Sequence, residues 1–394
     1  MLYLNECAVV CSIGDTHQAI RAALFERAES GVSETDAYSS GRRLPLGRVT
    51  ADLPDLPEHW AAPLKSRNNA MALAALAQIR PAVDAALERY GAMHVGVVIG
   101  TSTSGIAATE AALRVRREHG AMPPQFHYGQ QEMGSPATAL ALEIGALGPA
   151  YVHSSACSSS AKAIASAARL INMGLCDAVV CGGVDTLCEF TVAGFSALES
   201  VSAARCNPMS AKRDGINIGE GAGLFLMTRE PAAVALRGWG ESSDAHHVSA
   251  PDPEGGGARL AIADALRRAG LRADQIDYIN LHGTATRQND AMESRVVHAL
   301  FGAELAVSST KPFTGHALGA AAALEAAFCW LAMQDDNDQG MLPPHLWDGV
   351  PDPELPALNL VAPGARLGRP VRYALSNSFA FGGSNAALLF GRAA

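Results

Sequence analysis

The sequence predicts an α/β protein made of two similar halves. Three observations point there. Short apolar runs alternate with longer helical stretches along most of the 394 residues, the pattern of parallel strands joined by crossover helices. Two helices dominated by Ala, over 158–173 and 318–333, fall in different halves of the chain, and each follows a short strand. Small residues on most faces of a helix imply close packing on several sides, so each half is expected to bury one helix completely. Apolar residues make up 48% of the chain and charged residues only 18%, against roughly 25% charged in an average soluble protein. A chain with so little charge must bury much of itself in a large core, a subunit interface, or both.

Along the chain, residues 33–57 read as irregular, and a helix follows over 68–90. The run His94-Val95-Gly96-Val97-Val98-Ile99-Gly100 reads as a buried strand, as do 177–181, 222–227 and 278–281, because short apolar runs bounded by turn residues are too brief for helices. Further helices are expected over 258–269 and 290–301. The halves are expected to meet near 230–240, after Thr228-Arg229-Glu230-Pro231, dividing the chain into 1–235 and 236–394. Residues 334–370 are rich in Asp, Pro and Gly and read as a long surface excursion.

Composition also excludes function classes. A net charge of −9 with no block of like charges argues against a nucleic-acid partner, which favours a basic stripe. Disorder, collagen and coiled-coil readings fail, since the chain is apolar and lacks a Gly period or sustained heptads. The N-terminus Met1-Leu2-Tyr3-Leu4-Asn5-Glu6 shows no signal peptide, and the apolar stretch 317–333, interrupted by Glu325, is too short for a membrane span. Eight cysteines form no CxxC pair, so no zinc site is expected, and the thiols are expected to be free in a reducing cytoplasm.

Four segments carry chemistry. In Ser154-Ser155-Ala156-Cys157-Ser158-Ser159 a strand ends, a small-residue turn follows, and a helix begins at or just after Cys157. A thiol there feels the positive end of the helix, which favours thiolate, and the turn can offer backbone N–H groups to an oxyanion. The alternative is a buried structural Cys. His282 stands at a strand end in Asn280-Leu281-His282-Gly283-Thr284-Ala285-Thr286. Lys311 and His316 lie five residues apart in Lys311-Pro312-Phe313-Thr314-Gly315-His316, at the start of the second buried helix; a Lys there is costly unless paired or functional. Ser376-Asn377-Ser378-Phe379-Ala380-Phe381-Gly382-Gly383-Ser384-Asn385 reads as a polar loop between two apolar strands.

Together, and in this order, these segments resemble the β-ketoacyl–acyl-carrier-protein synthases, elongating condensing enzymes of the thiolase fold. Arg213-Asp214-Gly215, Gly219-Glu220-Gly221-Ala222-Gly223 and the Asn289, Asp290, Glu293 set add to the resemblance, which spans essentially the whole chain. It implies duplicated α/β halves in an α-β-α-β-α layered core. It implies that Cys157 takes an acyl group from a carrier-protein thioester, with the N–H groups of Cys157 and Phe381 as oxyanion hole. His282 and His316 would contact malonyl-carrier protein and support decarboxylation, while Lys311 would hold His316 and Glu325. Phe381 would be a gate, with Phe379, Asp244 and His247 in support. Asn280, Glu325, Ser376 and Asn377 match a position that can hold a structural monovalent cation; a plain hydrogen-bond cluster is the other reading. No other cofactor is implied, and adjacent His246 and His247 on an extended segment point to opposite faces. Lys65, Arg67 and Arg205 would receive the acidic carrier, unless they are simply a solvated helix start. The partner would be a second copy or a chain-length-factor-like paralogue.

Some positions depart from the family. Ala380 and Ala322 stand where Gly is frequent, Glu199 where a basic carrier contact is common, and Asn207-Pro208-Met209-Ser210 lacks an aromatic–Asp pair. A side chain at 380 should restrict the loop before Phe381. These departures, with the segment 36–48, resemble aryl polyene and other polyketide-type synthases more than a housekeeping fatty-acid enzyme. A thiolase would need a second Cys near the C-terminus, and none follows Cys329. An initiating synthase would use Cys-His-Asn, which the Lys311–His316 segment argues against. A non-catalytic chain-length factor would lack the nucleophile, yet Cys157 and both His residues are present.

Overall fold

The computed structural model describes residues 1–393. The N-terminal half runs β1 (Leu2–Cys11), α1 (His17–Arg21), a hairpin of β2 (Val32–Thr35) and β3 (Leu44–Gly47), and α2 (Arg67–Tyr90). It continues through β4 (Val95–Gly100), α3 (Ile106–His119), α4 (Ser135–Ile144), β5 (Ala150–His153), α5 (Ser159–Asn172), β6 (Ala178–Asp185), α6 (Glu189–Ala197) and β7 (Gly221–Thr228). The C-terminal half runs β8 (Val234–Ser243), α7 (Gly256–Ala269), β9 (Tyr278–Asn280), α8 (Arg287–Phe301) and β10 (Ala306–Ser308). After it come α9 (Lys311–Thr314), α10 (Ala321–Ala332), β11 (Asn359–Leu360), β12 (Tyr373–Ala380) and β13 (Ser384–Arg392).

Strand order exposes the duplication that residue identity hides. The eleven-stranded sheet reads β11-β10-β9-β12-β13-β8-β1-β7-β6-β4-β5. In the N-terminal half, β4 pairs parallel with β5 and β6, while β7 pairs antiparallel with β6 and β1. In the C-terminal half, β9 pairs parallel with β10 and β12, while β13 pairs antiparallel with β12 and β8. The two five-strand patterns are the same. They join edge to edge where Leu2 and Tyr3 of β1 face Leu236 and Ala235 of β8.

The period-2 alternation of strands then sorts the layers. Ala8, Val10, Val95, Val97, Ile99, Ala222, Leu224 and Leu226 face α2 and α4 on the outside of the first half. Cys7, Val9, Val98, Phe225 and Met227 point the other way, onto α5 and α10. From the second half, Ala386, Leu388 and Phe390 reach the same central layer, while Ala387 and Leu389 face α7 and α8. This is the α-β-α-β-α thiolase fold. Every residue of α10 is buried, which explains its small side chains: a helix gripped on all sides has no room for larger ones.

Several expectations need correction. Residues 33–57 contain the β2–β3 hairpin, fixed by the register Val32↔Gly47 to Thr35↔Leu44. Segment 230–240 is mostly β8, which begins at Val234, so the crossover is the short stretch 229–233. Residues 334–370 do not simply lie on the surface, because Leu342, Leu346 and Val361 pack into the central core. Ser376–Asn385 is not a loop: β12 runs through Ala380, a three-residue turn covers Phe381–Gly383, and β13 begins at Ser384. By length and composition α2, with 24 residues, could cross a membrane. It is instead a core helix, laying Met71, Ala75, Leu76, Ile79 and Val83 against the sheet.

Candidate active site

The site is built where the ends of both halves converge. Cys157 sits in the turn between β5 and α5, and Ala156 just before it holds a left-handed φ of 50°. The other two site loops carry the same kind of residue, with Ala285 at φ 64° and Leu318 at φ 48°. Each such conformation costs a non-glycine residue about 1–2 kcal/mol, and strain of this kind collects at functional sites. The turn is closed by Ser159 Oγ donating to the Ala156 carbonyl at 2.6 Å and accepting from Ser155 N–H at 2.9 Å. Gly100 and Gly183 let the first turn of α5 lie on the sheet, since a Cβ at either would collide with Ser160.

Cys157 is only 4% exposed. The expected thiolate is not what this environment favours. Burial pushes the thiol up to about 12, only partly offset by Lys311 and by the Phe381 N–H that points at the sulfur. The resting nucleophile is therefore a thiol. His316 Nε2 lies 3.0 Å from its Sγ, in place to take the proton. His282 packs edge-on to His316, with ring centroids 5.4 Å apart. Burial and the Lys311 charge hold both imidazoles well below the usual histidine range, so both are neutral. One ligand-type atom each from Cys157, His282 and His316 lies within 4.8 Å of the others.

Lys311 is 2% exposed and pairs with the buried Glu325. Its ammonium also donates to the carbonyl of His282. The resemblance implied that Lys311 holds His316; it holds the His282 loop instead. Burial raises the Glu325 carboxyl to about 7, with Lys311 pulling it back down. His316 is held by backbone: its N–H donates to the Asn217 carbonyl at 2.6 Å, and its carbonyl accepts from Gly219 at 2.9 Å. That accounts for the Gly219–Gly223 run, whose Glu220 also accepts from Val49 and Leu187 N–H.

Four supporting residues carried no assigned role in the sequence reading. Glu293 accepts the N–H groups of His282 and Gly283 at 2.8 and 2.7 Å. Asp290 accepts from Met209 and Ala285 N–H. Asp185, at the end of β6, accepts from Thr103 N–H at 2.9 Å and Gly319 N–H at 2.6 Å, tying one half to the His316 loop of the other. His345 is 2% exposed; its Nδ1 accepts from Ser309 N–H at 3.0 Å and its Nε2 contacts the Pro208 carbonyl at 2.9 Å. Glu293 and Asp290 could have been found as acidic residues on the buried face of α8. Asp185 and His345 gave no such signal.

Phe381 and Phe379 both line the cavity over Cys157, which measures about 140 Å³ and also takes in Phe195, Leu198, Thr284 and Thr286. Phe381 packs on Phe195 at 5.5 Å and Phe379 on His282 at 6.1 Å. Gly382 and Gly383 have φ of 80° and 71°, the positive values that favour glycine at a tight turn. Ala380 is extended at φ −98°, ψ 157°, so its side chain adds no strain here. Asp244 N–H bonds the Gly383 carbonyl at 2.8 Å, and its carboxylate accepts from Asn385 at 2.7 Å. His247 is exposed and caps its own loop, accepting from Ser249 N–H at 3.1 Å; it does not reach the cavity.

Asn280, Glu325, Ser376 and Asn377 each bury an oxygen without a hydrogen-bond partner among the described residues: Oδ1, Oε2, Oγ and Oδ1 respectively. A plain hydrogen-bond cluster would satisfy such atoms, whereas four oxygens of this kind suit a hard cation. The carrier-contact residues are not gathered at the cavity. Arg67 is bound to the buried carboxylate of Glu220 at 2.7 Å, so its charge already has an internal partner. Lys65 donates to the Glu58 carbonyl at 3.1 Å, and Arg205 is exposed.

The comparisons with known proteins agree with this site. The family model for the β-ketoacyl synthase N-terminal domain matches residues 68–233, and that for the C-terminal domain matches 233–346. Nodulation protein E of Rhizobium meliloti (strain 1021) is 34% identical over 361 residues, 87% of this chain and 88% of that protein. The 3-oxoacyl-[acyl-carrier-protein] synthase 2 of Synechocystis is 34% identical over 325 residues, 77% of this chain and 76% of that one. The solved ketosynthase ApeO from Xenorhabdus doucetiae, in complex with its chain length factor ApeC, superposes with a TM-score of 0.93 at 43% identity, covering 100% of this chain and 98% of that chain. With a thiol facing two neutral imidazoles under two matching domain models, this chain belongs to the β-ketoacyl synthase family of condensing acyltransferases.

Proposed function

We propose that the chain elongates an acyl group carried on Cys157 by decarboxylative Claisen condensation with malonyl-carrier protein. The contact that carries this reading is Cys157 Sγ at 3.0 Å from His316 Nε2, with the Phe381 N–H aimed at the same sulfur. In the first half-reaction His316 takes the thiol proton and the sulfur attacks the acyl thioester carbonyl. The oxyanion is held by the N–H groups of Cys157 and Phe381, and the carrier leaves as a thiol with that proton. In the second, the malonyl C–C bond breaks and CO₂ departs. Its electron pair forms an enolate whose oxygen accepts hydrogen bonds from His282 and His316. The enolate carbon attacks the acyl carbonyl, the bond to Cys157 sulfur breaks, and the departing thiolate takes one proton from solvent to return to the resting thiol. Neutral imidazoles suit this second role, because they donate without adding charge to a buried site.

The substrate class we propose is a polyketide-type or polyene chain. Support comes from the sequence departures at Ala380 and 207–210, beside the 43% identity to a ketosynthase solved with a chain length factor. A dimeric partner is supported by the free edge of the sheet at β5 and by exposed Leu113 on α3 and Phe190 on α6. The ApeO and ishigamide ketosynthases were solved with chain length factors, so a paralogous partner of that kind is our first choice over a second copy. Eight free, buried cysteines support a reducing cytoplasm. We also propose a monovalent cation among Asn280, Glu325, Ser376 and Asn377; it would satisfy their four unpartnered oxygens and brace β12 against β9. Thermal stability should then rise in potassium or sodium chloride relative to choline chloride, and equal stability in all three would remove the cation.

The test of the reaction is condensation with malonyl-carrier protein, followed by CO₂ release and product mass. It should be run with the chain alone and with a chain-length-factor partner. Release of CO₂ with a chain longer by two carbons supports the reading, and the arm that shows it identifies the partner. Product from neither arm would overturn it.

A further inference from the structure

The three side chains that the condensation uses also form a metal-ligand set, a role the condensation itself does not call on. Cys157 Sγ and one ring nitrogen each of His282 and His316 lie within 4.8 Å of one another. All three side chains are buried, at 4%, 2% and 2% exposure. We propose that these three residues form a reversible, inhibitory site for a soft divalent cation such as Zn²⁺. With Zn–S near 2.3 Å and Zn–N near 2.0 Å, a tetrahedral ion needs ligand atoms roughly 3.3–3.6 Å apart. The 3.0 Å between His316 Nε2 and Cys157 Sγ opens to that with a small side-chain shift. The fourth position faces the cavity of about 140 Å³, which leaves room for a water, as in open three-ligand zinc sites. Thiolate and imidazole select zinc over magnesium or calcium, which take oxygen ligands.

Binding is a simple exchange. The metal displaces the thiol proton to solvent and a sulfur–metal bond forms, with no oxidant or reductant. The Lys311 ammonium faces the site, but Glu325 already pairs with it, which limits its repulsion. Tight, resident zinc is not the expectation. Metal-bound His normally donates its second ring N–H to a carboxylate or carbonyl, and here His282 Nδ1 and His316 Nδ1 are both buried without a partner among the described residues. The absent outer shell weakens binding by about 10- to 100-fold, so the ion should come off with a chelator. Metal and acyl group also compete for one sulfur. Free enzyme should be blocked, while enzyme already acylated on Cys157 should lose this ligand and escape.

The inference stands apart from the condensation reading, and its test reads metal binding alone. Cobalt(II) chloride is titrated into the purified protein, and the near-ultraviolet thiolate-to-cobalt absorption is followed in wild type, Cys157→Ser and His282→Ala. In parallel, the rate of Cys157 alkylation by iodoacetamide is measured by peptide mass with and without zinc chloride, then after EDTA. The expected result is an absorption present in wild type, lost in Cys157→Ser and weakened at least tenfold in affinity in His282→Ala. Alkylation should be slowed at least tenfold by zinc and restored by EDTA. Absorption that survives in Cys157→Ser, or alkylation indifferent to zinc in the wild type, would overturn the site. The wild-type alkylation arm decides even if a variant fails to fold.

Discussion

At the scale of single residues, the two imidazoles divide the work unequally. His316 touches the sulfur at 3.0 Å, whereas His282 lies within 4.8 Å of it without a hydrogen bond to it among the described residues. His316→Ala should therefore slow both acyl loading and malonyl decarboxylation, while His282→Ala should spare loading and cut decarboxylation by about 10²–10⁴-fold. Loading followed by mass, against CO₂ release, separates the two; equal losses in both variants would contradict the division. Cys157, His282, Lys311, His316 and Phe381 were legible in the sequence because each stands in a short run with Gly, Ser or Thr that packing alone does not require, whereas Glu325, set among Ala and Leu, was legible only through the family resemblance. Glu293 and Asp185 were not given roles, since what they hold are backbone N–H groups of distant loops, and a backbone partner leaves no mark on the sequence. The thiolate expectation failed for a related reason. Position at a helix start can be read from sequence, but the burial that outweighs it cannot.

At the scale of elements, segment 334–370 shows what composition misses. Its Asp, Pro and Gly content predicted a surface loop, yet it delivers His345 to the backbone of Ser309, two residues before Lys311. Burial pushes His345 down to about 4, below the usual 6.5 of an unfolded histidine. Its contribution is thus complete above pH 6.5 and is lost as pH falls toward 4. This one group should cost about 2 kcal/mol of stability between pH 7 and pH 5. Urea unfolding at the two pH values should show that loss in wild type and a smaller one in His345→Gln; equal slopes would contradict it. The central layer makes a second prediction. A Cβ at Gly223 of β7 would stand 2.8 Å from the backbone of Ala323 on α10. Gly223→Ala should therefore lower the unfolding free energy by about 1–3 kcal/mol through overpacking, read as a shift in urea midpoint. An unchanged midpoint would mean the two elements part more easily than their contact implies. The buried α5 and α10 were readable from their small residues, whereas β12 and β13 were obscured by polar residues facing the site.

At the scale of the whole molecule, the duplicated topology explains why the site lies where it does. Each half brings its helix start and strand ends to the seam, so the nucleophile comes from one half and both imidazoles from the other. Asp185 of β6 bonding Gly319 beside His316 is the clearest tie across that seam. The alternation of strands and helices predicted the class and the two Ala-rich helices predicted two similar halves, while the pairing order shows the match strand by strand, because the repeat is kept in geometry and not in residue identity. The most direct test of the proposed chemistry is intact mass after mixing the protein with carrier proteins bearing saturated or polyene acyl chains, with Cys157→Ala as control. Wild type should gain one acyl mass, matching the preferred chain, and Cys157→Ala should gain none. An adduct that persists in Cys157→Ala, or a folded wild type that takes no acyl group from any carrier even with its partner present, would contradict Cys157 as the acyl-bearing nucleophile.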